Sequence, residues 1–371
     1  METLQEHLAL GMGIAFHAKN IPDKKAIVSE YGERTFMELN ANSNRYAKFL
    51  KEKGLQNGDA VAIVCKNRPE FLEGLFGPIR VGLRITPINW HLTAEEVCYI
   101  VENCEAKVVL CDAIFSEFFE EISKNLPDVI LMSVDGENPL AIPFLETIQN
   151  YDGSDVEAPE PGRSMLYTSG TTGRPKGVFR KENPPPSKTE QFTLDTASFD
   201  PVNDFSICPG PAYHAAPLGL NINISLMAGV GVYLMDKWDA EKMLSLISEY
   251  KCTHTHMVAT MFHRVLRLPE EIKSKYDISS MRWILHGAAP CPVEVKKAMI
   301  DWMGPIIYEY YAATEGGGCF IQPLEWLDKP GSVGKANEGT EVKILDEEFN
   351  EVELGQEGTI YFSAPSTGRF E

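Results

Sequence analysis

Positive charge is the scarce commodity in this 371-residue chain: 34 lysines and arginines stand against 53 aspartates and glutamates, a formal net charge of −19. That balance repels phosphate polymers, so a nucleic-acid or anionic-membrane surface is excluded as a main function. A nucleotide can still bind where cations are local or a metal is recruited. No apolar run approaches the roughly 20 residues of a membrane-spanning helix. The stretch from Met1 to His17 lacks a basic leader followed by an apolar core, so no secretory signal is expected. The eight cysteines include no Cys-x-x-Cys pair and sit mostly in apolar runs such as Val61 to Cys65. Buried, reduced thiols are therefore expected, without disulfides or zinc, in a cytoplasmic protein. What is present is an ordinary globular balance, 44% hydrophobic and 23% charged. The length allows two or three lobes with ample core.

Strand-like and helix-like signals alternate along the first third. Ala26 to Val28 and Arg34-Thr35 flank Tyr31-Gly32, which predicts a hairpin. Thr35 with Glu38, and Thr93 with Glu96, are capping boxes that open helices. Ala60 to Cys65 is nearly all apolar, the mark of a strand covered on both faces, and Pro69 suits a helix first turn. Residues 151–163 are acidic, hold prolines and show no periodicity, which predicts a linker. The rhythm then resumes: strands at 205–208, 230–235, 254–258, 282–286 and 306–310, with helices at 218–227, from Asp239 to Tyr250, and from Cys291 to Met303. Lys181 to Pro186 reads as a surface excursion. From Gly331 the pattern turns to polar–apolar alternation. The expected fold is α/β: a first lobe (1–150) and a second (164–330) of mainly parallel sheet flanked by helices, plus a small antiparallel β-barrel-like subdomain (331–371).

Five patches carry chemistry. The segment Tyr167-Thr168-Ser169-Gly170-Thr171-Thr172-Gly173-Arg174-Pro175-Lys176-Gly177-Val178 follows a strand signal and combines glycines, hydroxyls and two cations. It reads as a phosphate cradle or as a polar connector. A Walker A loop is excluded, because Lys176 is followed by Gly177 and not by Ser or Thr. Tyr311-Ala312-Ala313-Thr314-Glu315 lies at a strand end and could by itself be a helix cap. Gly287-Ala288-Ala289-Pro290, after His286, could be a tight turn between strand and helix. His214, after Asp204 and Pro211, could be a satisfied core histidine. Met257 to Phe262 could be core packing alone. His254 and His256 share a strand face, but no Cys, Asp or Glu joins them at zinc-site spacing.

Taken as an ordered string, Tyr167 to Val178 resembles the phosphate-loop signature of the adenylate-forming enzymes: acyl-CoA synthetases, luciferases and the adenylation domains of peptide synthetases. The resemblance extends to the other patches and implies their roles. Thr168 and Lys176 would act on the phosphates together with Ser169, Gly170, Thr171, Thr172 and Gly173. Tyr311 would stack on adenine beside Ala312, where the family usually has glycine, and Gly287, Ala288, Ala289 and Pro290 would form the other face of that slot. Thr314 would bond the α-phosphate, and Glu315, with Thr168, would hold Mg²⁺. His214 would border the acyl pocket, lined further by Leu218, Asn221, Val258 and Met261. Ala215-Ala216-Pro217 departs from the family's glycine-bearing continuation after that histidine.

The implied reaction is activation of a hydrophobic carboxylic acid by ATP to an acyl-adenylate, followed by transfer to coenzyme A. Cations and oriented donors would carry it, since two anions must meet. No side-chain nucleophile is required, in keeping with the lack of a Ser-His or Cys-His arrangement. A peptide-synthetase adenylation domain would want a buried acid for its ammonium, and no Asp follows Tyr213-His214. Family members continue with a ribose-binding Asp, a hinge Arg and a small C-terminal domain bearing a catalytic Lys. On this reading the chain is the large N-terminal portion, weak in adenylation or acting only as a nucleotide or acyl-adenylate binding module.

Overall fold

The structure, a computed structural model, describes residues 3–168, 175–179, 188–313, 316–336 and 341–363. Strands β1 (Lys25–Ser29) and β2 (Gly32–Thr35) form the expected hairpin. Thr35 then caps the helix Phe36–Glu52. Its side chain accepts from the Glu38 N–H, and the Glu38 carboxylate accepts from the Thr35 N–H at 2.8 Å. The same device, Thr93 with Glu96, opens the helix Ala94–Asn103.

A six-stranded, wholly parallel sheet contains β3 (Ala60–Val64), β4 (Arg84–Pro87), β5 (Ala106–Asp112), β6 (Ile130–Val134), β7 (Ile142–Pro143) and β8 (Arg163–Ser164). Its order is β7-β6-β5-β3-β4-β8. β3 is buried at every residue, as a central strand covered by helices on both faces must be. A separate hairpin, β9 (Leu166–Thr168) with β10 (Lys176–Val178), packs against β4.

The second sheet has nine strands. It takes in β11 (Phe205–Cys208), β12 (Gly231–Leu234), β13 (His254–Met257), β14 (Trp283–His286), β15 (Ile307–Ala313), β16 (Gly316–Ile321) and β17 (Lys335–Ala336). The order β17-β16-β15-β14-β13-β11-β12-β1-β2 is parallel from β15 to β1 and antiparallel at both edges. Strands β18 (Glu341–Leu345) and β19 (Thr359–Ser363) pair antiparallel. Two strands close no barrel, and β17, expected in that subdomain, instead edges the nine-stranded sheet. The barrel-like part of the expectation is thus not met among the described residues.

The sheets also cut across the expected lobes. β1, near the start of the chain, pairs with β12, Ile27 facing Val232, whereas β8, beyond residue 160, pairs with β4. One continuous core joins Val61 and Ile63 of β3 to Ile27 of β1 and to Val232 and Leu234 of β12, with Phe36, Phe71 and Leu75 between them. The segment 151–163 is tied down. Asn44 Nδ2 donates to the Gly153 carbonyl at 3.0 Å and to Asp155 Oδ1 at 2.9 Å, and Lys48 pairs with Asp152. The excursion read at Lys181 to Pro186 lies outside the described residues. The helix read at 218–227 is present but irregular, because a six-residue π-helix, Leu218–Asn223, precedes the α-helical Ile224–Met227. All eight cysteines are unpaired, and all but Cys291 are buried. No helix among the described residues is long and apolar enough to cross a membrane.

Candidate nucleotide and acyl site

Four patches singled out in the sequence fall at the carboxyl ends of neighbouring parallel strands, where open α/β sheets gather ligands. Pro209 to His214 follows β11, Val258 follows β13, Gly287 to Pro290 follows β14, and Tyr311 lies near the end of β15. The register Met257–His286–Glu309 aligns β13, β14 and β15. One step further on, Val258, Gly287 and Tyr310 are therefore neighbours.

The wall formed by β14 and β15 has a local cause at each position. Along β15 side chains alternate, so Tyr310 turns inward, 6% exposed, while Tyr311 is 41% exposed. Tyr310 and His256 share a hydrogen bond, 3.1 Å from hydroxyl to Nε2. A Cβ on Gly287 would stand 2.5 Å from Cε1 of the Tyr310 ring, so only glycine lets loop and ring approach this closely. Ala288 then takes a left-handed φ of 64°, a conformation costly to a residue with a Cβ. The exposed Tyr311 ring has Phe362 as a neighbour, at 6.0 Å between centroids.

Behind this wall lies a buried charge cluster absent from the sequence reading. Lys296, on the helix Val293–Met303 that follows the loop, donates to Glu309 Oε2 at 2.6 Å and sits over the Trp326 ring at 4.7 Å. His286 Nε2 is 3.2 Å from the same oxygen, without hydrogen-bond alignment. Burial drives the Glu309 carboxyl upward, but His286 and Lys296 outweigh it and hold it below its ordinary value. Burial, with Lys296 adding to it, keeps His286 below the ordinary histidine value against the pull of Glu309.

Past the end of β11, His214 is open to solvent, with partial burial and the neighbouring His91 keeping it below the usual histidine value. The Tyr213 hydroxyl lies 3.2 Å from His91 Nδ1, and His91 stacks on Trp90. Leu218 and Asn221 are buried on the π-helix. Asn221 is internally committed: its Nδ2 donates to the Ile207 carbonyl at 3.0 Å and its Oδ1 accepts from Ser206 at 3.2 Å. Met261, on the helix Ala259–Leu266, packs partly buried against the core beneath β13. Asp204 belongs to the opposite end of β11, where its carboxylate is held by Arg282 and the Asp200 N–H.

The β9–β10 hairpin brings Thr168 directly opposite an exposed Lys176. Met165 and Tyr167 anchor it in the core around β5, and burial raises the Tyr167 phenol. Ser169, Gly170, Thr171, Thr172, Gly173, Thr314 and Glu315 lie outside the described residues. His254 and His256 do not make a metal site. Each ring has its own protein partner, Ala197 O for one and Tyr310 for the other, and no metal-ligating cluster occurs among the described residues.

The sequence pattern of the AMP-binding enzymes matches residues 14–369. Indoleacetate–CoA ligase of Aromatoleum aromaticum is 26% identical over 357 residues, 94% of this chain and 69% of that protein. Long-chain-fatty-acid–CoA ligase FadD13 of Mycobacterium tuberculosis is 30% identical over 319 residues, 84% of this chain and 61% of that protein. The chain thus spans about two thirds of the length of these curated relatives. The N-terminal domain of FACL13 from M. tuberculosis superposes with a TM-score of 0.79 at 26% identity, covering 97% of this chain and 90% of that one. The anthranilate CoA ligase AuaEII, solved with anthranoyl-AMP, shares the fold at a TM-score of 0.81 and 24% identity, covering 96% of this chain and 70% of that one. Motif order, strand-end geometry and full-length pattern agree, and the chain belongs to the AMP-binding enzyme family.

Proposed function

We propose that this chain is the adenylate-forming portion of an AMP-forming acid–thiol ligase, activating a hydrophobic carboxylic acid with ATP and passing the acyl group to coenzyme A. The observation that carries the reading is the convergence of the β11, β13, β14 and β15 ends. Side-chain-poor backbone at Gly287 to Pro290, just past β14, and the exposed ring of Tyr311, near the end of the adjoining β15, would together offer a purine a flat slot. The apolar residues Leu218, Val258 and Met261 follow β11 and β13 in the chain and would line an acyl chain or ring there. The named activities of the relatives point the same way.

Thr168 and Lys176, facing each other across the hairpin, would flank the phosphates, Lys176 as a mobile charge and Thr168 as a hydroxyl donor. A protein that is otherwise acidic thereby concentrates cation where two anions meet. Thr168 and, as the resemblance implies, Glu315 would hold Mg²⁺, which keeps waters and phosphate oxygens as most of its ligands, and the ion would supply charge neutralisation there. His214 would border the acyl group at the end of β11. The test is a pyrophosphate-release screen over short, long and aromatic carboxylates with coenzyme A present. Release confined to amino acids, or none with any acid, would sink the reading.

A further inference from the structure

The turn after β3 carries Asn67, a side chain that no motif explains. It is 4% exposed, and its amide is engaged entirely across the junction between the two sheets. Nδ2 donates to the Gly210 carbonyl at 2.8 Å and to the Met235 carbonyl at 2.7 Å, while Oδ1 accepts from the Ala212 N–H at 2.8 Å. All three partners are backbone groups just past the ends of β11 and β12. Only an amide offers two donors and an acceptor in one plane to match them.

We propose that Asn67 is a positioning residue for the acyl end of the site, setting the path of the Pro209–His214 segment from the opposite sheet. The inference rests on the reading of that site given above. Gripped at Gly210 and Ala212, the segment has little freedom before Tyr213 meets His91 and before His214 caps the short helix Ala215–Pro217. The π-helix with Leu218 follows immediately. The grip is itself rigid. Lys66 gives its N–H to Asp112 at 2.8 Å and its Nζ to the Tyr31 hydroxyl at 3.0 Å, and Arg68 pairs with Glu70 and Asp112, both at 2.8 Å. A side chain locked in this way can hold a neighbouring site to tight tolerance. The adenine wall stands on β14 and β15, separated from β11 by β13. Loosening Asn67 therefore acts on acyl recognition and leaves nucleotide recognition alone.

The experiment titrates AMP and two acyl-adenylate mimics, N-decanoylsulfamoyl adenosine and N-phenylacetylsulfamoyl adenosine, into the wild-type chain, Asn67→Ala and Asn67→Asp. Asn67→Asp keeps the acceptor for Ala212 but turns a carboxylate oxygen toward two carbonyls, which guards against a cavity effect in the alanine variant. Leaving buried backbone groups unpaired should weaken the preferred mimic by at least about tenfold in both variants, with AMP affinity unchanged. A preference for mimic over AMP retained in both variants overturns the inference. So does an equal loss of both ligands or a chain that no longer folds, since either would make Asn67 a structural joint only. A wild-type chain with no preference for either mimic fails the functional reading as well.

Discussion

Replacing Lys296 by methionine isolates the charge buried behind the ends of β14 and β15. Lys296 is fully buried, and its Nζ is 2.6 Å from a carboxylate that is itself only 7% exposed. Methionine fills most of the same volume and can still pack on Trp326, so the loss is mainly the charge. Glu309 is then left buried without its cation, which costs about 3–5 kcal/mol for a pair of this kind. Adding Glu309→Gln removes the stranded charge, and the double variant should return to near wild-type stability or exceed it by about 1–4 kcal/mol. His286 supplies a second signature. In the native protein burial, its largest influence, and Lys296 hold its pKa down against Glu309. Without Lys296 burial still opposes Glu309, but one of the two depressing influences is gone, so the His286 pKa rises from its native, lowered position. A histidine held below its unfolded pKa, about 6.5, takes stability away as pH falls, and takes less the smaller the depression. The deficit of Lys296→Met should therefore shrink as pH falls from about 8 toward about 5. Urea unfolding followed by circular dichroism, on both single variants and the double, measures both effects. A double variant as unstable as Lys296→Met, or a deficit that ignores pH, refutes the reasoning.

Three further outcomes are expected. His254 and His256 are kept neutral by burial, pushed down to about 4 and about 3. The unfolded chain takes up protons first, so stability is full above pH 6.5 and between there and pH 4.5 falls by about 5 kcal/mol from this pair; a flat urea midpoint over that range would contradict it. Gly287→Val forces a branched side chain onto the Tyr310 ring, 2.5 Å away for Cβ alone. It should cost about 1–3 kcal/mol and weaken AMP in calorimetric titration, and unchanged AMP affinity would show that the wall is not where adenine sits. Thr93→Ala removes the cap of a helix on the first sheet and should cost about 1 kcal/mol in thermal unfolding without touching AMP affinity.

What the chain disclosed in advance was local. Thr35 with Glu38 and Thr93 with Glu96 open helices because the reciprocal hydrogen bonds involve residues three apart, so the signal and the structure occupy the same window. The candidate patches stood out for a related reason: Tyr167 to Val178 and Gly287 to Pro290 are glycine-, alanine- or hydroxyl-rich runs at the ends of strand signals. Pairing partners were not legible. Ala26-Ile27-Val28 announces a buried strand, yet nothing in it names β12, some two hundred residues on, as its neighbour. Dividing the chain into lobes at residue 150 followed sequence order, whereas the sheets follow the packing of crossover helices. The π-helix was equally silent, since the apolar spacing in Leu218 to Met227 suits a regular helix.

The residues missed near the site share one property: each is polar, buried and satisfied by something distant in sequence. Asn67 stands between Lys66 and Arg68, and such a triplet at the end of an all-apolar strand looks like an ordinary solvated turn. Yet three groups with this much hydrogen-bonding capacity sit at a strand's carboxyl end, where a second sheet can approach, and Asn67 is 4% exposed. Lys296 was hidden in the same way, because a lone lysine on an amphipathic helix is normally in water, and only the register that sets His286 beside Glu309 creates its partner. Motif residues stand together in contiguous strings. The residues that hold those strings in place answer to backbone and charge across the fold, and each is recognisable once its partner is known. Asn67 beneath the Pro209–His214 segment and Lys296 behind the ends of β14 and β15 are therefore places where a change outside any motif should be felt at the strand ends.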